Sequence, residues 1–179
     1  MAQLSDAAGE ELAWVRIKWL KEQYELRAPG VDADADADAA VATLTLRGSG
    51  SAIATIGDNT FGFQRRGWFR TQVRVWRDPE RQEVGVFSGG ALALASGAQY
   101  HWRKPRFWTN ERDWVDASGN LLVRLQPANW RASVRVICEP DVRGSADLAL
   151  LVTLGALLLV LANQDAATAA VVTTVAASG

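Results

Sequence analysis

The chain holds one histidine, His101, and one cysteine, Cys138, 37 residues apart. A Cys–His pair becomes a nucleophile only where the fold brings a base within reach of the thiol. Metal sites need clustered His, Cys or carboxylates. His101 lies in YHWRKP between Tyr100 and Trp102, the setting of an ordinary strand histidine. Cys138 ends an alternating run, where a small buried hydrophobe is the default. Carboxylate neighbours such as Glu10 and Glu11 have the character of a wet surface, whereas general acid–base work needs a buried, shifted group. Dinucleotide, phosphate-loop, zinc-protease and serine-hydrolase motifs are all missing from the sequence. These residues predict a non-enzymatic protein with no metal and no cofactor.

Two basic clusters carry the remaining chemistry. In QRRGWFR, Arg65, Arg66 and Arg70 surround Trp68 and Phe69. In WRKPRFW, Arg103, Lys104 and Arg106 lie between Trp102 and Trp108. The planar guanidinium binds two phosphate oxygens at once, and aromatic neighbours suit base stacking or a lipid interface. These six basic residues are the candidate sites for an anionic ligand. The competing reading puts the tryptophans in the core and the arginines in solvent. Charge is unevenly spread: residues 1–40 carry 4 basic and 9 acidic groups, whereas residues 64–135 carry 13 basic and 6 acidic. An overall pI near 5.9 argues against nucleic acid as a partner.

A third feature is VDADADADAA, with aspartates at 32, 34, 36 and 38. A calcium loop of the EF-hand type needs Gly at its sixth and Glu at its twelfth position. Counted from Asp32 these are Ala37 and Thr43, and from Asp34 they are Ala39 and Thr45, so both registers fail. A solvated hairpin loop is expected for Asp32–Asp38.

The elements around these residues have a period of two. WVRIKWL, QVRVWR, EVGVF, LLVRL and SVRVIC alternate apolar and polar side chains, as strands with one dry and one wet face do. RDPER (77–81) and DASGN (116–120) read as hairpin turns. About twelve strands follow: 14–20, 23–28, 41–47, 51–56, 60–64, 68–77, 82–87, 91–95, 98–103, 107–115, 120–125 and 130–138. One cysteine excludes an internal disulfide framework and fits a reducing compartment. The first residues, MAQLSDAAGEELAW, have neither the basic nor the apolar region of a secretory signal.

The run Leu148–Ala162 breaks this pattern: fifteen residues, apolar except Thr153. As a helix it is about 22 Å long, short of the roughly 20 residues that a bilayer needs. Polar residues close both ends, and neither Lys nor Arg follows Arg143, unlike the basic flanks of membrane spans. A wholly apolar helix can instead be buried in protein, and barrels larger than eight strands leave room for one. The expected fold is therefore mainly β: a closed antiparallel barrel of about twelve strands enclosing one C-terminal hydrophobic helix. The alternative is a tail-anchored protein, with a cytosolic β domain and a C-terminal transmembrane helix. Residues 1–13 are expected to be a flexible N-terminus, 14–162 a single domain with its helix at about 147–162, and 163–179 a low-complexity mobile tail.

That element order resembles the tubby C-terminal-like superfamily, which includes LURP-one-related proteins and phospholipid scramblases. The stretches that carry the resemblance are IKWLKEQYELRAPG (17–30), FGFQRRGWFRTQVRVWRDPERQEVGVF (61–87) and SGAQYHWRKPRFWTNERDWVDASGNLLVRLQP (96–127). Here a basic strand, a tight turn and a Trp-containing strand recur. The resemblance covers 14 to about 162 and implies a helix inside the barrel. Tubby domains bind phosphoinositide head groups, and scramblases are tied to lipid and calcium. Gln164 and Asp165 follow the helix without an acidic ladder, so calcium-dependent scrambling is not expected. The resemblance, with the basic middle segment, implies an anionic phospholipid or membrane surface as partner; a monomeric cytoplasmic domain, peripheral to that membrane, is expected.

Overall fold

A computed structural model describes residues 12–18, 22–27, 40–48, 50–67, 72–129, 133–142 and 145–177. The Asp32–Asp38 run, Arg70 with Trp68 and Phe69, and nearly all of the expected N-terminal segment lie outside these residues.

Twelve strands form: β1 (Leu12–Lys18), β2 (Gln23–Arg27), β3 (Ala40–Arg47), β4 (Ser51–Ile56), β5 (Asn59–Arg66), β6 (Gln72–Asp78), β7 (Gln82–Ser88), β8 (Ala91–Leu94), β9 (Gln99–Arg103), β10 (Arg112–Asp116), β11 (Leu121–Asn129) and β12 (Ser133–Cys138). Each pairs antiparallel with its chain neighbour, and β1 pairs with β12 to close the barrel. Every expected strand has a counterpart. The largest boundary difference is at 107–115: the strand starts only at Arg112, and Phe107–Asn110 lie in a loop. Pro105 lacks an N–H for a ladder, and the Thr109 amide and hydroxyl turn back to the Arg106 carbonyl (3.3 and 3.2 Å). In the expected DASGN hairpin, the Asp116 carboxylate accepts the Ser118 and Asn120 amides and the Asn120 side-chain amide (2.8–2.9 Å). That is an Asx-type turn.

Alternation sorts the side chains. Trp14, Leu26, Leu44, Ala54, Phe61, Phe63, Val73, Val75, Leu92, Trp114, Val123, Leu125 and Val136 point inward and are buried. They surround α1 (Leu148–Ala177), reached from β12 through a 3-10 turn at Pro140–Val142. Leu151, Val152, Thr153 and Leu154 are wholly buried, and most of Leu148–Leu161 belongs to the core. Thr153 donates its hydroxyl back to the Ala149 and Leu150 carbonyls (2.8 and 3.1 Å), so this buried hydroxyl is not stranded. Gly155 is needed for closeness, since a Cβ there would lie 2.9 Å from Trp114 Nε1 and 3.0 Å from Leu125 Cδ1. The barrel thus supplies the apolar surroundings that an all-apolar helix requires.

The helix does not stop near 162. It continues through Ala177, over the segment expected to be a separate tail, while exposure begins at Ala162 and is general from Asp165 to Thr168. No Pro or Gly interrupts residues 156–177, so nothing local ends the helix.

Candidate functional site

An antiparallel meander sorts its connections by parity. Those following odd-numbered strands lie at one end, and those following even-numbered strands at the other. α1 begins after β12, at the even end, here called the foot, and emerges at the odd end, the rim. Polar contacts mark both ends. At the foot, Tyr100 donates its hydroxyl to Asp147 Oδ2 (2.7 Å), just before the first helical residue. At the rim, Gln164 donates to Glu22 Oε2 (2.9 Å). There Arg65 also grips Asp165 with both terminal nitrogens, at 2.8 and 2.7 Å.

The described members of both basic clusters belong to the rim. Arg65 and Arg66 end β5. The Arg65 guanidinium is engaged by Asp165, whereas Arg66 is exposed. Arg103 ends β9, and Lys104 and Arg106 lie in the β9–β10 loop, all three exposed. Lys104 Nζ donates to the Phe107 carbonyl (2.7 Å), and the Arg106 guanidinium sits 6.0 Å from the centre of the Trp108 ring. The geometry joins Arg103, Lys104 and Arg106 in one loop. It commits Arg65 to an internal ion pair, which no sequence pattern signals, since Asp165 lies 100 residues away.

The tryptophans divide. Trp102 turns toward the core and packs tilted against Trp114 with ring centres 4.8 Å apart, as the competing sequence reading expected of all of them. Phe107 and Trp108 do the opposite, at 83% and 67% exposure, held edge-to-face with ring centres 4.6 Å apart. Sequence reading placed these two on a strand. Pro105 and the Thr109–Asn110 pair were the available signals of a loop.

The ends also differ in charge. Among described residues, the foot connections and adjoining strand ends hold Asp58, Asp78, Glu80, Asp116, Glu139, Asp141 and Asp147, with Arg27, Arg77 and Arg81 as the basic exceptions. The rim holds Arg47, Arg65, Arg66, Arg103, Lys104 and Arg106 against Glu22, Glu111 and Asp165. Of those acids, Glu22, Glu111 and Asp165 each have a partner: Gln164, Gln126 and Arg65.

The nucleophile pair does not assemble. His101 is exposed on the outer face between Ala91 and Val115, whereas Cys138 is buried and three strands away. Burial, with the Glu139 charge beside it, pushes the Cys138 thiol up to about 11, opposite to the shift that makes a cysteine reactive. Among described residues, His, Cys, Asp and Glu form no group of three that could hold a metal. A pocket of about 210 Å³ opens at the foot, lined by Phe61, Arg77, Glu83, Leu94 and Asp147 among others. It contains none of the six predicted basic residues.

Compared with known proteins, the chain matches no family model, no curated protein and no solved structure.

Proposed function

We propose that this barrel is a non-enzymatic, tubby-like binding domain for anionic ligands, with phospholipid head groups as the ligand class and the basic rim as the binding face. The observation that carries this reading is the gathering of Arg66, Arg103, Lys104 and Arg106, all exposed, at one end of the barrel. Arg70, from the same cluster as Arg66, is included on its sequence position alone. Arg65 is a positioning residue, because its guanidinium is held by Asp165. Clustered arginines with few competing carboxylates attract phosphates at long range and bind them at short range. The domain then works in the cytoplasm as a peripheral, monomeric partner of an anionic membrane surface.

The test is co-sedimentation of the full chain with phosphatidylserine-containing vesicles. Binding that falls with salt and is lost on joint replacement of Arg66, Arg103, Lys104 and Arg106 by Ala is expected. Binding unchanged by those replacements sinks the proposal.

A second reading is favoured by one observation: α1 is long and apolar enough over Leu148–Thr168 to cross a membrane, with mean hydropathy 1.8. A buried core helix meets the same criterion. Leu157→Asp separates the two readings: it unfolds a plugged barrel, whereas it releases a folded domain from a tail anchor.

A further inference from the structure

We propose that the rim is an interfacial membrane-docking face, in which Phe107 and Trp108 enter the bilayer interface beside the projecting turns of α1. Arg66, Arg103, Lys104 and Arg106 meet lipid phosphates around them. This rests on the anionic-ligand reading, and adds to it an apolar component, an orientation and a single occupant.

Three independent features converge on this end. The first is the loop tip. Phe107 and Trp108 are the large hydrophobic side chains left exposed among the described residues. They are presented rather than collapsed: Lys104 holds the Phe107 carbonyl, and Thr109 holds that of Arg106. Aromatic rings with basic neighbours are suited to the head-group layer, where each ring has one dry and one wet environment.

The second feature is charge polarity. The rim is basic and the foot acidic. An anionic leaflet therefore attracts the rim and repels the foot, which orients the barrel before contact.

The third feature is the helix. Beyond Asp165, residues 166–177 contain no charged side chain, and six of these twelve are Val or Thr. They continue α1 outward for about 18 Å at 1.5 Å per residue. An uncharged helix rich in β-branched residues gains little from water and depends on packing for stability.

A bilayer fits better than a protein partner. A stable protein interface buries about 800 Å² on each side, more than two rings on one convex tip offer. A fluid interface needs no complementary pocket.

The experiment uses the full chain with vesicles of phosphatidylcholine alone or mixed with phosphatidylserine. Phe107→Ser with Trp108→Ser is expected to weaken binding to mixed vesicles by at least about tenfold and to abolish what binding survives high salt. Phe107→Leu with Trp108→Leu keeps the tip apolar and is expected to stay within a few-fold of the parent. Ala at Arg103, Lys104 and Arg106 together costs about a hundredfold at low salt, at about fivefold per charge. Brominated lipid quenches the parent's tryptophan emission, and Trp108→Phe removes a quenched component.

If the Ser pair binds as tightly as the parent while the Ala triple fails, head-group binding stands and this inference is overturned. If the parent binds neither vesicle, both fail. If Phe107 and Trp108 instead drive concentration-dependent dimerisation without lipid, the occupant is a second copy, and the bilayer is rejected.

Discussion

The foot and rim of the barrel hold the same helix by different physics. At the foot, a half-buried tyrosine hydroxyl meets the Asp147 carboxylate at the positive end of the helix dipole. Burial, the hydrogen bond to Asp147 and that carboxylate's charge all push the Tyr100 hydroxyl well above its ordinary range. At the rim, the Arg65–Asp165 pair has better geometry, yet Asp165 is half exposed to water, at 52%. A two-pronged ion pair in water contributes less than one charge-assisted hydrogen bond shielded from it. The rim is where the helix leaves the core, and its attachments are the weaker ones.

Several perturbations would break or sharpen that contrast. Leu157→Asp places an unpaired charge inside the barrel and is expected to cost more than about 4 kcal/mol. Chemical denaturation would find it largely unfolded, whereas Ala166→Asp, beyond the rim, should leave the midpoint unchanged. Gly155→Ala, whose added methyl presses on Trp114 and Leu125, should destabilise by about 2 kcal/mol. Tyr100→Phe should cost about 2 kcal/mol by loss of a hydrogen bond to a charged acceptor, with little dependence on salt. Asp165→Ala should cost about 0.5 kcal/mol, and salt should erase that difference.

Alkali tests the foot. The Cys138 thiol is raised in the folded state from an ordinary 9.0 to about 11. The unfolded chain therefore loses this proton first. The associated stability is fully present below pH 9 and is lost as pH rises toward 11. The loss is about 3 kcal/mol by linkage, and thermal melts of Cys138→Ala should lack that component. Tyr100 adds a loss of the same sign above its own ordinary pKa, which Tyr100→Phe removes. The smallest effect is expected for Phe107→Ser with Trp108→Ser, within about 0.5 kcal/mol of the parent, because neither ring supports the core.

Much of the fold was legible because its causes are local. Val73, Val75 and their arginine partners alternate within six residues, so strand and wet face follow without tertiary knowledge. The unbroken apolarity of Leu148–Ala162 excluded a surface helix for the same reason. The candidate site was less legible. Arg65, Arg66, Arg103, Lys104 and Arg106 were visible as basic residues, but a sequence pattern cannot say which arginine meets an internal acid. Nor does it say that Trp102 turns in while Trp108 turns out, since Trp108 lies in a loop that breaks the alternation.

By itself the sequence determined twelve strands, a buried-type helix and a basic middle segment, because periodicity and composition act over a few residues. Tertiary structure alone decided that Asp165 captures Arg65, and that scattered charges collect into an acidic foot and a basic rim. The physical reason is closure. Once β1 pairs with β12, each connection is assigned an end by parity, and residues distant in the chain become neighbours at that end.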